Sequence, residues 1–375
     1  PRDKKILLVC KGGVKQADSY LAQGGICTLR WDGDKDAWFE DTMRAGHYEN
    51  DPETVNCMIG GARETIADLM LAGVRFARDG AGNLLYTREG GHSANRILYH
   101  ADTTGKEIAS RLFSRVRKLK NVHIRPYTSL VDILTDGKEC AGGVLRDERT
   151  GEIACAYADY VILATGGVGG LYASSTNFPQ LTGDGVAICL KHGIAVRDLD
   201  YVQIHPTTLY TKRRGRRFLI SESVRGEGGV LLDGAGRRFT DELKPRDVVT
   251  AAIRGQMQKE GSECVWLDMR TIPPEELRVH FPAIVKRCLE EGYDPFSRPV
   301  PVVPAQHYFM GGIGSDPEGR TEMPRLFAVG ETCCNGVHGK NRLASNSLLE
   351  SLLFARRAAL RIGNTYAAVS EETQK

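Results

Sequence analysis

The chain is characterised first by what it lacks. Its 375 residues contain no run of about 20 apolar residues, the length that spans a bilayer, and no segment that resembles a signal peptide. The net charge is only +3, which gives no support for nucleic acid as the main partner. The ten cysteines form no C-x-x-C pair, so we expect neither a zinc nor an iron–sulfur site. These absences predict a reduced, cytoplasmic protein with no membrane, nucleic-acid or metal partner.

The composition is that of a globular protein, with 41% hydrophobic and 26% charged residues. Apolar runs predict strands at 6–10, 121–126, 129–134, 141–147, 160–167 and 325–331. Apolar residues at helical spacing predict helices at 35–46, 52–73 and 104–119. Strands that alternate with helices favour an α/β fold built on a parallel sheet, in which the first strand, ILLVC, is buried.

Two of the predicted strands end in a way that is typical of cofactor sites. YVILATGG (160–167) runs into glycines, and RLFAVGE (325–331) ends at Gly330 and Glu331. Ligands of parallel sheets bind at the carboxyl ends of the strands, where glycines allow a close approach to the backbone. A carboxylate there can accept hydrogen bonds from ribose or ribityl hydroxyls. A tight turn would explain either strand end alone, but the two together favour a cofactor site.

The pattern changes between about residue 200 and residue 308, where the alternation of strands and helices gives way to a mixed α+β texture. We therefore predict an α/β domain formed by residues 1–198 and 308–375, with an inserted lobe at 199–307. An inserted lobe leaves a cleft against the domain that carries it, and such clefts are favoured places for active sites.

Two cationic stretches raise the question of an anionic ligand. KRRGRR (212–217) is most simply a solvated loop, although it could also collect an anionic substrate. In HGKNRLASNSLLE (338–350), Ser345 or Ser347 can cap a helix, and Arg342 lies just before it. A helix N-terminus together with an arginine suits a carboxylate, whereas an ordinary capped helix with a solvated arginine explains the same residues.

Ten motifs together resemble those of the succinate dehydrogenase/fumarate reductase flavoprotein family, and within it those of the L-aspartate oxidase branch. They occur in the family's order and cover nearly the whole chain. The motifs are AQGGI (22–26), TREGGHS (87–93), ATGG (164–167), GDG (183–185), HPT (205–207), RGEGG (225–229), PRD (245–247), HYFMGG (307–312), VGE (329–331) and NRLASNSLLE (341–350).

The resemblance implies an FAD-binding parallel-sheet (Rossmann-like) domain with an inserted α+β capping domain. The family begins with a G-x-G-x-x-G strand that holds the FAD pyrophosphate, and this unit is missing here. We therefore expect the sequence to be an N-terminally truncated form. Members that attach FAD covalently carry a histidine in the early loop, whereas QADSYLAQGG (16–25) contains none, so we expect non-covalent FAD.

The resemblance also assigns residues to a small dicarboxylate substrate. It implies that His307 and Arg342 hold one carboxylate and that His205 and Ser221 hold the other. Glu89, in TREGGHS, is a further carboxylate suited to an α-ammonium group, which succinate does not have. A turn histidine would explain HPT alone, but it would not explain all of these motifs together.

By the same resemblance, Arg246 in PRD occupies the position of the family's catalytic acid/base. Arginine is a poor base because its pKa lies above 12, so it needs a proton relay, to which Glu222 and Arg225 correspond. Taken singly, PRD could be an ordinary helix start and RGEGG a surface hairpin. The FAD-binding residues implied by the resemblance are Lys11, Gly12, Ser19, Tyr20, Leu21, Ala22, Gln23, Gly24, Gly25, Ala164, Thr165, Gly166, Asp184, Glu331, Ser347 and Leu348.

Three functional hypotheses follow. The first is oxidation of L-aspartate to iminoaspartate, with electrons passed to O2 or fumarate, as the first step of NAD biosynthesis through quinolinate; it would link the protein functionally to quinolinate synthase. The second is a soluble fumarate reductase or succinate-oxidising flavoprotein. The third is a flavin-binding relative without enzymatic activity, which is disfavoured because FAD binding alone requires neither the substrate clamps nor the acid/base.

Overall fold

The computed structural model describes residues 4–213 and 215–373, and side chains up to residue 365. Arg214, within the basic run KRRGRR, therefore lies outside the described residues. The strands are β1 (Ile6–Cys10), β2 (Ile26–Cys27), β3 (Ile97–Leu98), β4 (Val122–Pro126), β5 (Thr128–Asp136), β6 (Glu139–Asp147), β7 (Ile153–Tyr157), β8 (Val161–Leu163), β9 (Val196–Arg197), β10 (Val202–Leu209), β11 (Val230–Leu232), β12 (Val265–Asp268), β13 (Val300–Phe309), β14 (Gly312–Gly314), β15 (Leu326–Ala328) and β16 (Cys333–Cys334).

Nine α-helices lie in the described part of the chain. They are α1 (Lys35–Ala45), α2 (Pro52–Leu71), α3 (Thr104–Val116), α4 (Asp184–Lys191), α5 (Glu222–Gly226), α6 (Arg246–Glu260), α7 (Pro274–His280), α8 (Pro282–Glu290) and α9 (Asn346–Thr373). No helix among the described residues combines the length and the apolar character needed to cross a bilayer.

Three pairs of strands are parallel, namely β1 with β4, β8 with β15 and β14 with β16. In the first two, Ile6 lies opposite Val122 and Leu326 lies opposite Val161. Both β1 and β8 line the same large cleft. The expectation that β1 is buried was wrong, because Ile6, Leu7 and Leu8 are 38%, 42% and 37% exposed. Among the described residues β1 has a hydrogen-bonded neighbour on one side only, and its other side opens into the cleft.

The two strands predicted at 129–134 and 141–147 belong to an antiparallel sheet, β5-β6-β7, rather than to the parallel strands. β5 ends at Asp136 and β6 begins at Glu139, so only two residues connect them. Gly137 adopts a positive φ of 60° in this turn. Two residues suffice for an antiparallel hairpin, whereas a parallel connection needs a dozen or more.

Helix α9 packs on α2 in the largest apolar cluster, which also contains β2, β3 and α1. Asp51 caps α2 by accepting a hydrogen bond from Thr54 N–H, and Pro52 follows at the first helical position, where no N–H is needed. The helices meet closely at Gly61, because a Cβ there would lie 2.5 Å from Leu353 Cδ1. This packing fixes the position of the residues just before α9.

The inserted lobe has an apolar cluster of its own, formed by residues between Leu209 and Val302. Its sheet has the order β10-β13-β12-β11 and is antiparallel, and helices α5 to α8 belong to the same stretch of chain. The structure is thus an α/β fold with an α+β insertion. The lobe boundaries at 199 and 307 stay a proposal, supported by this separate cluster.

Candidate functional site

A cleft of about 1670 Å³ runs between the α/β domain and the inserted lobe. Drug-sized ligand pockets usually measure about 300–1,000 Å³, so this cleft has room for a large cofactor and a small substrate. Every site residue predicted from the sequence lines it, except Arg225. Arg225 lies directly behind the wall, with Nη2 3.6 Å from Glu222 Oε1.

Four cationic or donor side chains converge on one part of the cleft, and we call them the cationic wall: His205, Arg246, His307 and Arg342. His205 lies on β10 and His307 on the neighbouring strand β13, and their rings are 5.1 Å apart in an edge-on arrangement. Arg246 is the first residue of α6, and Arg342 lies in the turn before α9. His205, Arg246 and Arg342 are buried, and His307 is half-buried.

The geometry of His205 identifies which ring nitrogen carries the proton. Its Nδ1 accepts a hydrogen bond from Thr207 N–H at 3.2 Å, so in the neutral ring the hydrogen resides on Nε2. Burial lowers the pKa of His205 well below its usual value, and Arg246 lowers it further, which keeps the ring neutral. Nε2 is buried and has no hydrogen-bond partner among the described residues. His205 therefore presents an unused donor in the cleft.

His307 is neutral for the same reasons. Burial lowers its pKa well below the usual value, followed by the positive charges of Arg246 and Arg342. Its Nδ1 lies 2.8 Å from Thr176 Oγ1, which fixes the plane of the ring. Two neutral imidazoles and two guanidinium groups thus line the wall, and they suit a ligand that carries negative charge.

Arg342 is a buried cation without an acidic partner. Its side chain lies over the Tyr308 ring at 4.3 Å from the centroid, and Nη1 donates to Ser347 Oγ at 2.7 Å. No carboxylate of the described residues lies within ion-pair distance, and Nε has no hydrogen-bond partner there. Burial lowers the pKa of Arg342 to about 10, with a further contribution from Arg246. Because an unpaired buried charge is costly, this position favours an anionic ligand.

Arg246 is paired, in contrast. Its Nε donates to Glu222 Oε2 at 2.5 Å and its Nη1 donates to Gln203 Oε1 at 2.8 Å. Burial opposes ionisation of Glu222, but Arg246 and then Arg225 outweigh it and lower the Glu222 pKa. Arg246 and Glu222 are directly hydrogen-bonded, whereas Arg225 Nη2 lies 3.6 Å from Glu222 Oε1, an ion-pair contact beyond hydrogen-bond distance. The hydrogen-bonded pair offers a path for a proton to or from Arg246.

Glu89 provides the negative charge that faces the cationic wall. It is 3% exposed and accepts hydrogen bonds from Ser223 Oγ at 2.9 Å and from Ser345 Oγ at 2.5 Å. Burial raises its pKa, and the nearby charge of Glu222 raises it further. The hydroxyl of Ser221, predicted to hold a carboxylate, caps α5 by accepting from Ser223 N–H and is directed at Ser223 Oγ.

The predicted FAD residues fit a large cofactor with a polar chain. Gly25 lies so close to β3 that a Cβ would be 2.4 Å from Leu98 O, and a Cβ on Gly24 would be 2.2 Å from Glu89 Oε1. Glu331 Oε1 accepts from Phe309 N–H at 2.9 Å, and burial raises the Glu331 pKa to about 8. Lys11 Nζ donates to Asp184 Oδ2 at 2.6 Å. Gly24 and Gly25 thus permit close packing within the cleft wall, and the Glu331 carboxylate beyond the end of β15 suits the hydroxyl-rich chain of FAD.

Helix α9 begins at Asn346, so Ser347 and Leu348 lie in its first turn at the edge of the cleft. Of the two serines that the sequence suggested as the cap, Ser347 lies inside the helix, where its hydroxyl accepts from Arg342, and Ser345 directly precedes the helix, where its hydroxyl donates to Glu89. The N-terminal N–H groups of this helix and its dipole favour negative charge nearby.

Sequence reasoning missed four residues that hold this site together. Gln203 lies two residues before HPT, and no motif of the sequence analysis includes it. Its side chain links Arg246 to the turn at Asn341 and Arg342 through hydrogen bonds. Ser223 lies two residues before RGEGG and Ser345 lies inside NRLASNSLLE, but their contacts with Glu89 span 134 and 256 residues of chain. Tyr308 follows a predicted histidine directly, and its role depends on ring orientation.

Comparison with known proteins gives matches over nearly the whole chain. A family model described as an FAD binding domain matches residues 2–348. The L-aspartate oxidase of Clostridium perfringens is 47% identical over 97% of this chain and 82% of its own length, and that of Clostridium acetobutylicum is 43% identical over 98% and 84%. A solved E. coli quinol fumarate reductase chain superposes with a TM-score of 0.88 at 31% identity, covering 95% of this chain and 65% of its own length.

Proposed function

The chain belongs to the L-aspartate oxidase branch of the succinate dehydrogenase/fumarate reductase flavoproteins, and we propose that it oxidises L-aspartate to iminoaspartate with FAD as cofactor. The electrons pass to O2, which gives H2O2, or to fumarate. Iminoaspartate is then the precursor of quinolinate in de novo NAD biosynthesis. The substrates are small dicarboxylates.

The observation that carries this proposal is the pairing of opposite charges in one cleft. Arg342 is a buried cation without an acidic partner, and Glu89 is a buried carboxylate within reach of the same space. A ligand with two carboxylates and one ammonium group satisfies both. Succinate and fumarate would satisfy only the cationic wall.

Binding and orientation follow from the donors described above. We propose that Arg342 and His307 hold one carboxylate, and that His205 Nε2–H donates to the other, with the Ser221 hydroxyl beside it. Glu89 pairs with the ammonium group. These contacts fix the substrate carbon that is oxidised, and the burial of the whole set excludes water, which strengthens each charged interaction.

The reaction breaks one C–H bond of L-aspartate, removes two electrons with that hydrogen, and releases a proton from nitrogen as the C=N bond forms. FAD, when bound, supplies the two-electron acceptor. We propose that Arg246 exchanges the proton in the cleft and that Glu222 and Arg225 connect it to the lobe. The hydrogen bond from Arg246 Nε to Glu222 Oε2, at 2.5 Å, supports this path, because proton transfer between two groups requires that they lie within hydrogen-bond distance.

A second candidate activity is fumarate reduction or succinate oxidation. The cationic wall favours it, since none of its four members depends on an ammonium group. In this direction Arg246 would deliver a proton to carbon. A role as a flavin-binding protein without catalysis is disfavoured, because it leaves the buried Arg342 without its anion.

The deciding experiment measures oxygen consumption of the FAD-loaded full-length protein with L-aspartate and with succinate. We expect L-aspartate to support turnover with release of H2O2, and succinate to support much less. Turnover with succinate alone would reject aspartate oxidation in favour of the second candidate. No turnover of either substrate, or of fumarate with a reduced donor, would favour the non-catalytic alternative.

Three further proposals concern the cellular setting of the enzyme and the attachment of its cofactor. We propose a cytoplasmic location, because all ten cysteines are free thiols and such a protein suits a reducing compartment. We also propose a functional link to quinolinate synthase, because iminoaspartate is unstable in water and its consumer must act promptly. Non-covalent FAD is proposed because the early loop has no histidine.

A further inference from the structure

The carboxylate of Glu89 is held from two different parts of the molecule. Ser223 is the second residue of α5, in the inserted lobe, and Ser345 lies in the turn before α9, in the α/β domain. Their hydroxyls donate to the two separate oxygens of Glu89, at 2.9 Å and 2.5 Å. All three residues are at most 7% exposed. The two serines thus position one carboxylate across the boundary between the domains.

We propose that Ser223 and Ser345 are specificity-determining positioning residues, whose hydroxyls hold Glu89 in place for the ammonium group of L-aspartate. The inference rests on the proposed function, since it assumes that Glu89 meets the ammonium. Neither serine is assigned to touch the substrate. They act through Glu89, and they therefore affect aspartate but not fumarate or succinate.

A hydroxyl donor suits this task because it favours the ionised carboxylate. A carboxylate that accepts hydrogen bonds from both serines has its charge stabilised and its orientation fixed, and each oxygen keeps a lone pair for the ammonium. Burial and Glu222 act in the opposite direction and raise the Glu89 pKa. The other titratable or charged groups that face Glu89 are Cys27, Arg225, Arg246 and Arg342.

The backbone at Ser345 supports a role for its side chain. Its φ is 61°, in the left-handed region that glycine adopts freely and that costs other residues about 1–2 kcal/mol. A glycine here would relieve that cost but would lose the hydroxyl that reaches Glu89. The side chain at this position is therefore retained against a local conformational penalty.

The test compares Ser223→Ala, Ser345→Ala and the double variant in the FAD-loaded enzyme. We expect kcat/KM for L-aspartate to fall roughly tenfold or more for each, the scale of a lost charged hydrogen bond, with fumarate reduction nearly unchanged. Losing a donor raises the Glu89 pKa, so the acid limb of the aspartate pH profile should move to higher pH. Ser223→Thr, which keeps a hydroxyl at a helical backbone position, should retain much of the activity that Ser223→Ala loses.

Two controls make the outcome decisive. Ser315→Ala removes a buried hydroxyl that does not line the cleft, and it should change turnover of neither substrate. Succinate binding, followed by the change in flavin absorbance, shows whether the site is intact in each serine variant. Equal loss of aspartate and fumarate turnover, or an unmoved acid limb, would overturn the inference. If Glu89→Gln impairs aspartate and the serine variants do not, only this inference fails; if Glu89→Gln spares aspartate, the proposed role of Glu89 fails as well.

Discussion

The cationic wall and the Glu89 carboxylate lie in one cleft but are prepared for their ligands in different ways. His205 Nε2 and Arg342 Nε are buried donors without partners among the described residues, whereas both oxygens of Glu89 already accept hydroxyl hydrogen bonds. A bound dicarboxylate therefore supplies the hydrogen-bond partners that the cationic wall lacks. Glu89, in contrast, keeps its two hydrogen bonds even when the ligand has no ammonium group. This difference suggests that dicarboxylate binding is general and that aspartate selectivity is added to it.

The largest expected effect comes from breaking the wall at Arg246. Arg246→Leu removes the proposed proton carrier and leaves the buried Glu222 unpaired, so kcat for L-aspartate and for fumarate should both fall by about 10²–10⁴-fold. Steady-state kinetics with both substrates measure it. Arg254→Leu, an exposed arginine on the same helix, is the matched control and should have little effect. Full fumarate reduction in Arg246→Leu would contradict the shared role of the wall.

A smaller loss is expected at Arg342. Arg342→Lys keeps the positive charge but loses the planar fork that can hold Ser347 and a carboxylate together. Binding of succinate and of L-aspartate should weaken about equally, by roughly 1.5–3 kcal/mol. Titration of the flavin absorbance with each ligand gives the two dissociation constants. A loss confined to one ligand would show that Arg342 belongs to selectivity rather than to general dicarboxylate binding.

Glu89→Gln tests the other side of the comparison. It should weaken L-aspartate oxidation by roughly 1.5–3 kcal/mol in kcat/KM, since it removes the charge that offsets the ammonium beside four donors. Fumarate and succinate should be affected much less, because they have no ammonium to pair. The measurement is kcat/KM for the three substrates. Equal damage to aspartate and fumarate would make Glu89 structural.

The last prediction concerns flavin attachment, for which we expect no covalent bond to the protein. Neither the cationic wall nor Glu89 requires such a bond, and QADSYLAQGG (16–25) has no histidine to form it. Acid precipitation of the FAD-loaded full-length protein should therefore release all of the flavin. Absorbance of the supernatant and of the redissolved pellet at the flavin wavelengths measures this. Yellow colour that stays with the denatured pellet would refute non-covalent binding.

The sequence predicted the parts of this molecule that depend on local pattern or on ordered motifs. Helices α1, α2 and α3 and strands β1 and β4 lie where periodicity placed them, within a few residues. Burial of β1 could not be predicted, because it depends on which strands stand beside it rather than on its own apolar residues. The short connection at Gly137 indicates that β5 and β6 pair in antiparallel fashion. The prediction gave more weight to the alternation of strands and helices elsewhere in the chain, which favours parallel strands.

The site divides in the same way. Arg342 and His307 were predicted because motifs carry them, yet the absence of an acidic partner for Arg342 is a property of the folded chain. The support given by Tyr308 depends on the ring facing the guanidinium at 4.3 Å, which no spacing encodes. Ser223 meets Glu89 only after the lobe packs against the domain, and Ser345 meets it only after the two parts of the domain come together. Contacts between residues that are far apart in the chain cannot be predicted from the local sequence pattern.

The left-handed backbone at Ser345 also bears on how the protein would drift under random mutation. Ser345→Gly removes a local penalty of about 1–2 kcal/mol, but it also removes a hydrogen bond to a buried carboxylate and adds entropy to the unfolded chain, so the melting temperature should change little while the preference for aspartate over fumarate weakens. Selection for stability alone would thus not hold serine at this position against glycine. A serine would persist only in lineages whose growth depends on telling an amino acid from its deaminated counterpart.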